Sequence, residues 1–493
     1  MKNFASAAFG CCLLLAILSC AGEVRGAIWE IHPGLYASYL YTDNYNGTVE
    51  DKEDEDIYAV GPSLAISCTT EKIRWGLVGH IAKNFHRNYD EDDKTEGDVA
   101  THALVTGLNQ SLDLSYAYRE TRERETLDQA LGVRRIHNGA LTYNRTLTAA
   151  LSASLGYNRN MEYAPRPDQD VISDGGTIGL HYQVTPRNLF DITTSYEAYR
   201  YEDLQVDSDE VVLEAGNNQD VQVLSAETRW MYLVSQSLRM GPNLIFERHT
   251  FDEPSDQTAE LTDYTDLDIY TAALLIDYLF SPATVMNASI GGSWLKSEED
   301  KDQYLTNGRC SLSHTAQKNT ILADFFYGFA YEYDSQNDLG IYETTTFNAS
   351  WEHFFTPKVL STLEYGITRK IPVESDIATI EGEETRDIVY RAGLIYRSAG
   401  GAGFGSISET ILPREAQRSE TTEAPQPSQA QTAPLGGTRT PSPFEPRAGG
   451  PPITHWQRGA FEVRGLYERL ENEYEHLDSV VENRYSLSIE VRY

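Results

Sequence analysis

From Ile28 onward, apolar and polar positions alternate with a period of two, in segments of about ten residues separated by polar stretches. Leu35, Ala37, Tyr39 and Tyr41 stand on one face of such a segment, with Tyr36 and Ser38 on the other. The pattern recurs at Val60, Pro62, Leu64 and Ile66, at Ile73, Trp75, Leu77, Gly79 and Ile81, and at Leu112, Leu114, Tyr116 and Tyr118. It continues through Phe190, Ile192, Thr194 and Tyr196, through Tyr270, Ala272, Leu274, Ile276 and Tyr278, and through Ile321, Ala323, Phe325, Tyr327, Phe329 and Tyr331. Successive side chains of a strand point to opposite faces, so each segment has one apolar and one wet side. Strands of a soluble sandwich alternate too, but they run to about five or six residues. About ten is the length a tilted strand needs to cross a bilayer.

The connections alternate as well. Short turns are expected at 69–72, 109–111, 146–148, 185–188, 235–237, 281–284, 316–319 and 356–358. Between them lie long polar loops, among them 43–56, 88–98, 164–174, 201–220, 297–302 and 371–387. Outer-membrane barrels sort their connections this way, with short turns on the periplasmic side and longer loops outside. The prediction is an all-β fold: a closed antiparallel transmembrane β-barrel of roughly 18–20 strands, an even number with both termini periplasmic. A barrel of that size has room for a water-filled or plugged lumen.

Two stretches depart from the pattern. Residues 1–26 hold an apolar run, FASAAFGCCLLLAILSCA, behind Met1 and Lys2, and read as a secretory signal peptide cut after Gly26 or Ala21. Ile17-Leu18-Ser19-Cys20 also fits a lipoprotein processing site, with Cys20 acylated. The barrel segments then occupy 27–398. Residues 399–455 are rich in Gly, Pro, Ser, Thr and Gln and read as a disordered periplasmic linker, either a tether for a periplasmic partner or a tolerated insertion. Residues 456–493 resume the alternation as a final hairpin.

Composition narrows the function. With 40 Lys and Arg against 74 Asp and Glu the formal charge is -34, which excludes binding to nucleic acid by backbone neutralisation. Tyrosine outnumbers phenylalanine 31 to 16, as suits positions with one dry and one wet end. Trp29, Tyr39, Tyr41, Trp75, Tyr118, Trp230, Tyr278, Trp294, Tyr331 and Trp351 are the expected interfacial girdles. Beyond the leader only Cys68 and Cys310 remain, read as two small strand residues.

Covalent chemistry finds no support. There is no G-x-S-x-G elbow, and His32, His80, His102, His137, His181, His249, His314 and His353 are scattered without metal-binding spacing. Glycines 400, 401, 403 and 405 lack the strand, helix and Lys of a phosphate loop. The acidic runs 50–56, 90–93 and 298–302 lack the spacing of a calcium loop, and a weaker reading has outside carboxylates sharing divalent cations with lipopolysaccharide phosphates. No enzyme, cofactor or resident metal is expected. Selectivity is expected of inward charges, principally Arg74, Arg134, Asp191, Glu197, Arg229, Asp324, Glu364, Arg391 and Arg464. These would either face one another across the lumen and set a transverse field, or pair across strands and stiffen the wall.

The last strand, with Tyr485, Leu487, Ile489, Val491 and the aromatic Tyr493, resembles the assembly signal read by the barrel-insertion machinery. Tyr41-Thr42-Asp43-Asn44, followed by a polar loop and a strand with Pro62 near its start, resembles the outer-membrane β-barrel porins found with exopolysaccharide or capsule export systems. That resemblance implies a channel in a Gram-negative outer membrane, in contact with lipid and lipopolysaccharide and linked to polysaccharide export. The second reading is a non-conducting barrel that docks a periplasmic assembly through 399–455.

Overall fold

The computed structural model describes residues 27–45, 53–89, 93–123, 132–163, 171–201, 220–251, 266–297, 302–332, 340–372, 385–397, 460–474 and 480–492. The expected signal peptide (1–26), the expected linker (399–455) and Tyr493 lie outside the described residues. In chain order the strands are β1 Ile28–Thr42, β2 Glu55–Thr69, β3 Ile73–His86, β4 Thr95–Thr106, β5 Gln110–Glu123, β6 Gly132–Thr146 and β7 Leu151–Tyr163. Then come β8 Val171–Thr185, β9 Asn188–Tyr201, β10 Val221–Leu233, β11 Leu238–Phe251, β12 Leu267–Ser281, β13 Thr284–Ser297 and β14 Gln303–Thr315. The series ends with β15 Asn319–Glu332, β16 Gly340–Thr356, β17 Val359–Pro372, β18 Thr385–Arg397, β19 Ala460–Tyr474 and β20 Val480–Arg492.

Each strand pairs antiparallel with the next, and β1 pairs with β20, so one sheet of 20 strands closes on itself. Closure leaves no edge and satisfies the backbone inside the sheet. Among the described residues there is no helix.

All eight predicted short turns occur where the sequence places them. Six of them share one device. The hydroxyls of Thr70, Thr148, Thr185, Ser235, Ser281 and Thr356 accept hydrogen bonds from backbone N–H groups further along the turn, at 2.8 to 3.2 Å. A Ser or Thr hydroxyl here supplies the acceptor that an Asx side chain supplies in other turns.

The strands are longer than the ten residues expected, from 12 in β4 to 17 in β16. The excess lies at the long-loop ends. Thr95–Asp98 of β4, Val171–Asp174 of β8 and Thr385–Asp387 of β18 all fall in segments read from sequence as loops. Charge obscured the strand there, and the backbone pairing continues through these segments.

Gly61-Pro62 and Gly241-Pro242 mark local breaks. At Gly61 the Ile81 carbonyl occupies the place of a Cβ, and at Gly241 the Trp230 carbonyl does. The ladders from β2 to β3 and from β11 to β10 skip these dipeptides. Proline has no N–H to give a ladder, and the glycine lets the neighbouring backbone close in.

The outward face carries the apolar residues. Ile31, Ile81, Ile178, Leu244, Ile290 and Leu394, spread around the sheet, are 61, 60, 59, 56, 61 and 54% exposed. A water-soluble barrel would bury such positions; here they form a continuous apolar exterior. Cys68 and Cys310 are both free thiols. Trp75 keeps the outward register of Trp29 but is packed beside Cys68 and Ala103, with Trp29 edge-on at 5.9 Å. Tyr331 is in β15, but its side chain is outside the described set.

Candidate functional site: the inner wall

Positions alternating with the exposed apolar ones form the inner wall, and cross-strand register sorts them into rows. Strands of a closed barrel tilt, so a row of directly opposed residues climbs as it passes from strand to strand. One row runs Glu364, Arg391, Glu468, Arg484, Thr42, Glu55, from mid-strand in β17 to the long-loop end of β2. Its charges alternate and touch. Arg391 donates to Glu468 at 2.7 Å and lies 3.5 Å from Glu364, and Arg484 lies 3.8 Å from Glu468. Arg484 also donates to both oxygens of Glu482 at 2.8 Å. The Arg391, Glu468 and Glu482 side chains are 10, 5 and 2% exposed, which makes each charge depend on its neighbour.

At the top of this row the Tyr41-Thr42-Asp43-Asn44 segment acquires a physical role. Thr42 donates to Glu482 at 2.5 Å, the Asn44 N–H bonds the Thr42 hydroxyl at 3.3 Å, and Asp43 is tied to Asn483. The motif fastens the first strand to the last. Beside it, Glu55 accepts from the backbone N–H groups of Arg87 and Asn88, at 2.6 and 3.1 Å, and Tyr45 stacks on Tyr89 at 4.7 Å. Arg87 reaches Asp56 at 2.8 Å, and that carboxylate raises the guanidinium pKa above its ordinary value. From the acidic runs, Glu53–Asp56, Asp93 and Asp302 are described; Asp93 caps the His86 N–H at 2.7 Å.

A second row runs Arg239, Asp277, Asn287, Ser311, Asp324, Asn348, Gly366, climbing from the short-turn end of β11. Between Arg239 and Gly366 its residues are small and polar, and Asp324 stands opposite Ser311 and Asn348, neither of which is charged. Three histidines pair with aspartates across strands: His80 with Asp98 at 2.5 Å, His102 with Asp113 at 2.7 Å and His181 with Asp191 at 2.6 Å. No serine hydroxyl bonds these rings among the described contacts.

The remaining charges named from sequence fall on the same inner register. Arg134 is buried against Glu162, Arg229 donates to Glu227 at 2.9 Å, and Arg464 donates to Glu462 at 2.7 Å. Glu197 lies opposite Val223 and Gly175, and Arg74 is exposed near the short-turn end, opposite Thr69 and Leu104. Cross-strand pairing joins Arg134 to Glu162 and Arg391 to Glu468, whereas Arg229 and Arg464 pair with the carboxylate two residues before them on their own strands.

The outer face has a pattern the sequence reading missed. At the long-loop ends an outward Tyr donates to an outward carboxylate: Tyr39 to Asp56, Tyr118 to Glu120, Tyr157 to Asp174 and Tyr327 to Glu343, at 2.6 to 2.7 Å. Arginine joins most of these sets, as Arg135 does Glu120 at 3.0 Å, and Arg248 pairs likewise with Asp268 beside Tyr270. The signal was present as a Tyr next to the point where a strand turns acidic. On β20, Tyr485, Leu487 and Ile489 are 49, 44 and 39% exposed and Val491 shares their face.

No known family profile matches this chain, and no curated relative does. Among solved structures, it is similar to the FrpB iron transporter of Neisseria meningitidis (F3-3 variant), with a TM-score of 0.48 at 7% identity over 94% of this chain and 82% of that one. It is also similar to the outer membrane protein OpdK of Pseudomonas aeruginosa, with a TM-score of 0.37 at 12% identity over 94 and 99% of the two chains. A BenF-like porin of Pseudomonas fluorescens Pf-5 gives 0.38 at 9% identity over 94 and 99%.

Proposed function

We propose that the protein is a porin-like channel of a Gram-negative outer membrane, passing hydrophilic solutes through its lumen. The observation that carries this reading is the separation of faces: large apolar side chains exposed around the whole exterior, polar and charged rows on the interior. Hydrocarbon is the one solvent that favours such an exterior, and water the one that favours such an interior. Charged and polar groups lining a pore can bind and exclude solutes by charge and size.

The finer reading is that the solute is a polysaccharide in transit. The Tyr41–Asn44 resemblance supports it, as does a wall of hydroxyl, amide and carboxylate groups suited to sugar hydroxyls. Single-channel recording in planar bilayers tests the channel: discrete conductance steps are expected. Folded, inserted protein that carries no current would favour a docking barrel. Interruption of that current by a long neutral oligosaccharide but not by a neutral disaccharide would support the polysaccharide reading.

A further inference from the structure

In most of the outer sets one arginine meets one carboxylate and the charges cancel. Asp174 on β8 departs from this. Arg159 of β7 lies 3.4 Å from Oδ1 of Asp174, to which Tyr157 donates at 2.7 Å, and Arg200 of β9 donates to Oδ2 at 3.0 Å. Two guanidiniums share a single carboxylate, so the cluster is net positive in a chain whose formal charge is -34. Asp174 is 18% exposed, whereas Arg159 and Arg200 are 45 and 58% exposed. The carboxylate thus anchors both arginines, which stay about half exposed. A guanidinium has five donors, and a carboxylate oxygen engages one or two.

Directly beneath, the same three strands are apolar. Tyr157, Ile178 and Tyr196 are 46, 59 and 46% exposed on the outward face. A ligand that fits this surface carries a compact anion at one end and hydrocarbon at the other. Arginine pairs match phosphate through parallel N–H donors, and tyrosines mark the boundary between hydrocarbon and headgroup.

We propose that Arg159 and Arg200, held by Asp174, bind a phosphate of lipopolysaccharide in the outer leaflet, with its acyl chains lying on Tyr157, Ile178 and Tyr196. The proposal rests on the outer-membrane reading. It differs from a general attraction to lipid in naming one site on the circumference, and in requiring two arginines rather than carboxylates bridged by cations.

The test is titration of the detergent-folded full chain with bisphosphorylated lipid A, followed by native mass spectrometry, with altered gel mobility on heating as the check of folding. The wild type is expected to bind one lipid A preferentially. Arg159→Gln with Arg200→Gln should weaken this about a hundredfold, the loss of two charge-assisted contacts. Arg248→Gln, which opens a charge-balanced set, should change it little. Equal binding by the double variant overturns the site, as does equal binding of dephosphorylated lipid A. Displacement by an equal concentration of inorganic phosphate assigns the cluster to a free anion and overturns the lipid. A chain that folds and inserts into vesicles yet shows no preference for lipid A defeats this inference alone, whereas failure to insert defeats the outer-membrane reading.

Discussion

Asp43, which follows the first strand, and Asn483, in the last, hold each other through three hydrogen bonds. The Asp43 N–H donates to the Asn483 carbonyl at 3.2 Å, and its carboxylate accepts from the Asn483 N–H at 2.8 Å and from the side-chain amide at 2.7 Å. They lie 440 residues apart in sequence, so the clasp forms only when the barrel closes. Asp43→Ala leaves both Asn483 donors unpaired and should cost about 1–3 kcal/mol. The expected readout is a lower temperature for loss of the fast-migrating folded band, with Asp43→Asn intermediate.

The apolar exterior makes a paired prediction on one strand. Ile290 of β13 is 61% exposed on the outward face, and Asn287, opposite Asp277, is on the inner wall. Arginine facing hydrocarbon near the bilayer midplane costs about 2–4 kcal/mol, and on the lumen side it costs little. Ile290→Arg should therefore lower the yield and stability of barrel folded in phospholipid vesicles, and Asn287→Arg, beside an aspartate, should leave both near wild type. Equal penalties would mean that the two faces meet the same medium.

Period and punctuation carried most of the fold. Alternation such as Tyr270 to Tyr278 needs only the pleat to be read, and the polar turns between strands announce themselves because nothing in them wants burial. Strand ends such as Thr385–Asp387 were illegible because their apolar signal stops at the hydrocarbon boundary while pairing does not. Facing was legible residue by residue; partnership was not. Nothing local joins Glu468 to Arg391, 77 residues away, or Thr42 to Glu482: those contacts depend on the register of closure. The Tyr157, Asp174 and Arg200 set spans three strands and has the same cause.

The charged row of β17 to β20 should behave as a unit. Glu468 is 5% exposed and contacts both Arg391 and Arg484. Removing one partner of a buried pair strands the other, so Arg391→Met should destabilise the barrel by about 3 kcal/mol. Glu468→Leu together with Arg391→Met should recover much of that loss, because replacing both charges by apolar groups removes the uncompensated burial. A double-mutant cycle on denaturant unfolding measures the coupling, and additive losses would show that the pair is not coupled.

Selectivity should follow charges on the wall that no described ion pair offsets. Asp324 projects from β15 between uncharged Ser311 and Asn348, whereas Arg464 and Glu462 offset each other at 2.7 Å. An unbalanced carboxylate attracts cations over about a Debye length, roughly 10 Å in 0.1 M salt and 3 Å in 1 M. The wild-type pore is therefore expected to prefer cations in a potassium chloride gradient at low salt. Asp324→Arg should move the reversal potential toward the anion side there, with the shift fading as both chambers approach 1 M. The Arg464→Gln, Glu462→Gln double variant, which removes a balanced pair, should move it little at either concentration. A reversal potential indifferent to Asp324 at low salt would place the ion path away from the second row.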